Sequence, residues 1–326
     1  MRSDVGLVRA ENQDFGVLTS AQEESESHPG GRLLIVADGM GGHRGGATAS
    51  RLAGETVKAQ YLGSETADIA TALHESLTRA NARIFSEAQA NPDLRGMGTT
   101  TSVLAVRDQQ GWLAHVGDSR IYLVRGDEIR QLTDDHSLVA SMVREGLLTS
   151  KEAETHPRRN VLQRSMGVAE EVEVDVRGPF DIQEGDTFIL CSDGLYGVVK
   201  EDELREIARL PIEPAADEYL RRALERGAPD NVTVIVARVE REGAVPDELD
   251  DTQEVEPILF DETLRETPNV GAAGLAPPNS SGDAGGASSA APAGSASHPF
   301  LKWTLFLVLV LGAAGAWLFW NQQAIR

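Results

Sequence analysis

The sequence predicts an α+β fold in which amphipathic helices cover antiparallel sheets. Three observations carry this. Short apolar runs of strand length recur along residues 1–240, tight turns join several of them, and paired segments of helical period separate the blocks.

The strand-like runs are RLLIVA (32–37), TTSVLAV (100–106), WLAHVG (112–117), RIYLVR (120–125) and EIRQLT (128–133). They continue with VEVDVRG (172–178), TFILCS (187–192) and NVTVIVARV (231–239). The turns RDQQG and RGDE are short enough to close hairpins, which makes the sheets antiparallel. Ala49, Leu52, Ala53, Thr56 and Val57 follow helical spacing, as do Ile69, Leu73, Leu77, Ala80 and Ile84. Two further helices are expected near 201–209 and 214–226. No internal repeat is visible.

A hydrophobic fraction of 41% supports a real core. The net charge of −21 excludes a nucleic-acid binder, which would need a basic face to track phosphates. The single cysteine, Cys191, excludes an internal disulfide framework, fits a reducing cytoplasm and reads as a buried thiol inside an apolar run.

The ends of the chain differ. The first residues hold no apolar run and read as lacking a signal peptide. Trp303–Trp320 is eighteen residues without a charge, about 27 Å as a helix and close to the thickness of a bilayer's apolar core. Tryptophans at both its ends and Lys302 beside it fit interfacial anchoring. Between lies a stretch that is first acidic and then rich in Gly, Ala, Ser and Pro, with too little apolar surface to order itself. The short run EPILF within it reads more as tether than as a docking peptide. Four parts follow: a working domain (1–240), a disordered linker (241–299), a transmembrane helix (300–320) and a short tail (321–326).

Five aspartates stand at strand ends beside glycine or asparagine: Asp14, Asp38, Asp118, Asp193 and Asp230. Each alone reads as a turn residue. Together they suggest carboxylates converging at one sheet edge, which need cations to offset their repulsion. Oxygen ligands without a His or Cys cluster select Mg²⁺ or Mn²⁺ over zinc. Two such ions can share a carboxylate and activate a water for attack on phosphorus.

At this point eight motifs in order resemble those of bacterial members of the protein phosphatase 2C family. They are SDVGLVRAENQD, LLIVADGMGGHRGG, GTTTSVLAV, AHVGDSRIYLVR, LTDDHS, RRNVLQRSMG, ILCSDGLYGVV and GAPDNVTVIV. The resemblance covers about residues 2–239. It implies a four-layer sandwich of two antiparallel sheets flanked by helix pairs, with a binuclear metal centre at one end, acting as a Ser/Thr protein phosphatase.

Carried over by position, Asp38 bridges two metals, the Gly39 carbonyl ligates one of them, and Asp193 and Asp230 complete the first site. Asp14 holds metal-bound water, Asp118 binds a third, weaker ion, and Arg9 grips the substrate phosphate with its planar fork. Gln13 stands where the family often has glutamate, which softens one water contact. Met40 stands where eukaryotic relatives have histidine, leaving His43 or a water as general acid. Asn231 orients its neighbours by hydrogen bonds. Residues 136–165 resemble the family's flap, with Ser141, Val143 and Gly146 as points of movement; an ordinary helix–turn–helix is the alternative. Arg158, Arg159 and Arg164 are its basic candidates for a phosphoprotein, and His136 and His156 rank below His43 as acids.

The function expected is therefore a Ser/Thr phosphatase on the cytoplasmic face of a bacterial inner membrane. Its partners are phosphorylated proteins, including a Ser/Thr protein kinase and its substrates; the sequence leaves the oligomeric state open. A regulatory phosphoprotein-binding module with weak catalysis is the other class.

Overall fold

The computed structural model describes residues 1–19, 31–41 and 45–240. Its strands are β1 (Arg2–Asp4), β2 (Asp14–Leu18), β3 (Arg32–Met40), β4 (Gly98–Thr99), β5 (Thr101–Arg107) and β6 (Gln110–Val116). They continue as β7 (Arg120–Arg125), β8 (Glu128–Gln131), β9 (Asp175–Asp181), β10 (Thr187–Cys191) and β11 (Val232–Arg238). The helices are α1 (Gly45–Leu62), α2 (Ile69–Ala90), α3 (Leu138–Arg144), α4 (Ser150–Glu154), α5 (Asp193–Tyr196), α6 (Glu201–Ile207) and α7 (Ile212–Glu225).

One sheet has the order β1-β11-β10-β7-β8; the other runs β2-β3-β5-β6-β9, with β4 added beside β3. Every pairing is antiparallel. The expected hairpins are present. Asp108 and Gln109 both take positive φ between β5 and β6, the geometry a two-residue hairpin turn requires.

The side-chain period of a strand explains the layers. In β3, Leu33, Ile35 and Ala37 pack under α1 and α2 with Ala53, Val57, Leu73 and Leu77. Leu34 and Val36 point the other way and meet Ile121, Phe188, Leu190 and Ile235 of the second sheet. On that sheet's outer face, Tyr122, Ile189, Cys191, Val232 and Val234 are covered by Leu204, Ile207 and Tyr219 of α6 and α7. Helices, sheet, sheet, helices: the sandwich is four layers deep. Each fully buried aliphatic side chain contributes about 1.5–3 kcal/mol, and a one-residue slip of β3 would exchange its two apolar faces.

β1, β2 and β4 are strands the periodicity did not predict. Cys191 is buried as expected, and burial pushes its thiol up to about 12. Among the described residues no helix is long and apolar enough to cross a membrane. The linker 241–299, the span 300–320 and the tail 321–326 lie outside the described residues, as does His43.

Candidate active site

Asp38 lies inside β3 rather than beyond its end, directly opposite Asp14 of β2. Its backbone is clamped on both sides. The Asp38 N–H donates to Thr100 Oγ1 at 2.9 Å, while the Asp38 carbonyl accepts from the Thr100 N–H and from Thr99 Oγ1, each at 2.9 Å. Thr100 Oγ1 in turn pairs with Ser119 Oγ at 2.7 Å, which ties Asp38 to the turn carrying Asp118.

Gly39 and Gly46 let two backbones cross here. A Cβ on Gly39 would stand 2.1 Å from the Gly46 carbonyl oxygen, and one on Gly46 would stand 2.5 Å from Gln13 Oε1. Any larger residue at either position separates β3 from the start of α1. That helix begins at Gly45, two residues ahead of the expected Ala47.

Asp193 opens the short α5, directly after β10, and Asp230 immediately precedes Asn231 and β11. Ser192 Oγ donates to Asp14 Oδ2 at 2.7 Å and accepts from the Thr233 N–H at 3.0 Å. Asn231 orients its surroundings as expected: its Oδ1 accepts from the Gln13 N–H at 2.8 Å, and its Nδ2 donates to the Val5 and Glu11 carbonyls at 2.9 Å. Behind Asp118, the Tyr196 hydroxyl donates to the Asp118 carbonyl at 3.0 Å. The Arg120 guanidinium lies 3.8 Å from the Tyr196 ring centre and pairs with Asp135 at 2.7 Å.

The five aspartates share one neighbourhood, because Asp38 feels the charges of Asp14, Asp193, Asp118 and Asp230 together. Burial is the largest influence on each shifted member. It pushes Asp14 up to about 7, Asp118 to about 8 and Asp193 to about 6, and Asp38 well above the carboxylate range, with neighbouring carboxylates adding to the rise. Arg9 opposes this. Its Nη2 donates to Asp230 Oδ2 at 2.6 Å, and its charge eases the ionisation of Asp193, as does that of Arg159.

The donor set fits divalent cations. Asp14 Oδ1 and Asp193 Oδ1 are buried and accept no hydrogen bond, a costly state that a bound cation relieves. As the side chains stand, no group of three among the described residues closes on one point as ligands do around an ion. Asp230 turns to Arg9 and Asp14 to Ser192 instead.

Other expected residues separate. Arg164 is engaged with Asp175 at 2.8 Å and Glu173 at 3.2 Å, so it braces the segment rather than presenting a free cation. Arg158 and Arg159 remain exposed. Residues 138–154 form α3, a turn with Gly146 at φ +73°, and α4, the helix–turn–helix arrangement. His136 is buried against Asp175 at 3.3 Å and the His115 ring, and His156 accepts from the Arg158 N–H. Sequence reasoning missed Thr99, Thr100, Ser119 and Ser192. Their signal was present: hydroxyl residues crowd against apolar strands in GTTTS, GDSR and CSDG, where surface polarity has no place.

The model of the family described as Protein phosphatase 2C matches residues 12–235. The serine/threonine phosphatase stp of Listeria innocua is 40% identical over 244 residues, which is 72% of this chain and 93% of that protein. The crystal structure of the Mycobacterium tuberculosis serine/threonine phosphatase PstP/Ppp superposes with a TM-score of 0.65 at 37% identity, over 74% of this chain and 97% of that one. The PstP catalytic domain in complex with two manganese ions gives a TM-score of 0.63 at 35% identity, covering 74% and 96% of the two chains.

Proposed function

Since the chain belongs to the protein phosphatase 2C family and is a serine/threonine phosphatase of that type, we propose that it hydrolyses phosphoserine and phosphothreonine on proteins, with water as the nucleophile. The gathering of five carboxylates, two of them with orphaned buried oxygens, carries this reading. Asp38, the Gly39 carbonyl, Asp193, Asp230 and Asp14 would hold two Mn²⁺ or Mg²⁺ ions, with Asp118 at a third. Such ions offset the carboxylate charge and lower the pKa of water for attack on phosphorus.

The chain's own residues do the rest. Thr99 and Thr100 fix the position of Asp38, and Ser192 fixes that of Asp14. Arg9 makes one bond to Asp230, and its remaining N–H groups have no partner among the described residues, so the planar fork can donate to a phosphate. His43 is the proposed acid for the departing serine or threonine oxygen.

The apolar segment 303–320 is proposed to anchor the protein in the inner membrane of a bacterium, with residues 1–240 in the cytoplasm and 241–299 as tether. A flexible tether of that length averages about 40–45 Å end to end, which favours a membrane-bound Ser/Thr kinase and its substrates as partners. Phosphopeptide hydrolysis by the purified protein tests the activity. Turnover is expected with Mn²⁺, is lost in EDTA and returns on re-addition; turnover that survives chelation overturns the metal assignment.

A further inference from the structure

Leu7 and Val8 immediately precede Arg9, and they are 65% and 71% exposed. This is not fraying. The Leu7 N–H donates to the Ala228 carbonyl at 3.0 Å, and the Gly6 N–H donates to Asp4 Oδ1 at 2.8 Å. Gly6 has φ +76°, and a Cβ there would meet the Asp230 carbonyl oxygen at 2.3 Å. On either side, Asn231 holds the Val5 and Glu11 carbonyls. The backbone is thus fastened against the loop carrying Asp230, while two large apolar side chains stand out into water.

Scattered exposed apolar residues need no explanation, but an adjacent pair on a fastened loop beside a charged site does. Val8 lies one Cα step of about 3.8 Å from Arg9, and Leu7 within about 7 Å. An extended peptide advances about 3.3 Å per residue. A peptide whose phosphate meets Arg9 can therefore bring a side chain one to three residues away within reach of Leu7 and Val8.

We propose that Leu7 and Val8 form an apolar lip that receives an aliphatic or aromatic side chain one to three residues from the phosphorylated serine or threonine of the substrate. The inference rests on the reading of Arg9 as the phosphate contact. The occupant is the substrate's own side chain, because the lip is continuous with the Arg9–Asp230 site and shares its loop. Leu7 and Val8 then select among phosphoproteins, a task the charged groups of the site cannot perform because every substrate carries the same phosphate.

The test uses the full chain in lipid nanodiscs with Mn²⁺ and paired phosphopeptides that differ only in having Leu or Ser within three residues of the phosphothreonine. The wild-type kcat/KM is expected to favour the Leu peptide by roughly tenfold, the scale of burying part of one such side chain. In the Leu7→Ser/Val8→Ser double variant the ratio should fall to near one. Equal handling of the pair by wild type overturns the proposal, as does a preference that survives the double substitution. So does a double variant altered only in self-association or lipid binding, which would assign the lip to a second copy or to the bilayer. Turnover of a small aryl phosphate, which has no flanking residues, is followed in parallel. If neither the small ester nor either peptide is hydrolysed, the phosphatase reading fails; if the ester turns over while the peptides are treated alike, only the lip fails.

Discussion

Asp14 and Asp38 face each other across the β2–β3 ladder, two acidic side chains in direct cross-strand register. Like charges so placed destabilise a sheet, and here Asp193, Asp118 and Asp230 add to the same field. The fold carries this repulsion at its working end and keeps its three apolar layers behind it.

Stability should therefore depend on pH in a particular way when chelator is present. Asp193, Asp14 and Asp118 hold protons in the fold up to about 6, 7 and 8, against 3.8 for an ordinary aspartate. Between about pH 4 and those values the folded state binds more protons than the unfolded one, so stability falls as pH rises across that window and levels off above about 8. His115 acts in the opposite sense. Burial pushes it from 6.5 down to about 4, so acid below about 6.5 favours the unfolded chain. Between about pH 4 and 6 the three carboxylates together outweigh His115, so the melting temperature in EDTA is expected to fall from about pH 4 to about pH 8. Saturating Mn²⁺ should remove the part of this decline near neutrality, and a melting temperature in EDTA that stays level between about pH 4 and 8 would contradict the carboxylate cluster.

Asp38→Asn and Asp193→Asn should each reduce turnover by roughly 10²–10³-fold or more, the scale of losing one group that stabilises a transition state. Both variants should stay folded, and in EDTA at alkaline pH both should melt above wild type because each removes one repelling charge. Circular dichroism and phosphopeptide kinetics on the same samples decide this; near-wild-type turnover in either variant refutes the ligand assignment.

The contact proposed between Arg9 and the substrate phosphate would be made in the ground and transition states alike, so Arg9→Ala should raise KM by about 10-fold or more with a smaller change in kcat. Lysine at this position should recover only part of the loss, since it lacks the fork. An unchanged KM would put the phosphate elsewhere.

Ser192→Ala tests a residue that touches no substrate. It leaves the buried Thr233 N–H without its acceptor and Asp14 Oδ2 without its donor. The expected effects are a loss of about 1–3 kcal/mol in stability and about 10–100-fold in Mn²⁺ affinity. Calorimetric titration with Mn²⁺ reads the second directly, and an unaltered affinity would reduce Ser192 to a packing residue.

For the proposed topology, protease added outside intact spheroplasts should leave residues 1–240 whole. Digestion of this part before lysis would place the chemistry on the other side of the membrane.

Much of this architecture could be read from periodicity, for a physical reason. In β3 the residues 33–37 alternate between two apolar layers, and α1 and α2 keep one apolar stripe each, so pattern and packing coincide. The carboxylates were visible one at a time through their glycine and asparagine neighbours. β1, β2 and β4 were not, because RSD and GT are too short to show a period and DFGVL carries no run of alternating apolar residues, so these strands are held by their partners. The hydroxyls of Thr100, Ser119 and Ser192 act across long separations, and the use of Arg164 on Asp175 is likewise a fact of tertiary placement.

The first strand of the domain pairs with the last, Arg2–Asp4 against Val232–Val234, and the loop bearing Arg9 is fastened to Asn231. A ribosome makes these partners more than two hundred residues apart. β1 thus has nothing to pair with, and Arg9 lacks its partner Asp230, until the end of the domain has emerged. Closing so long a loop is slow, and it comes last. A chain that ends before β11 therefore lacks both this strand pair and the Arg9–Asp230 contact.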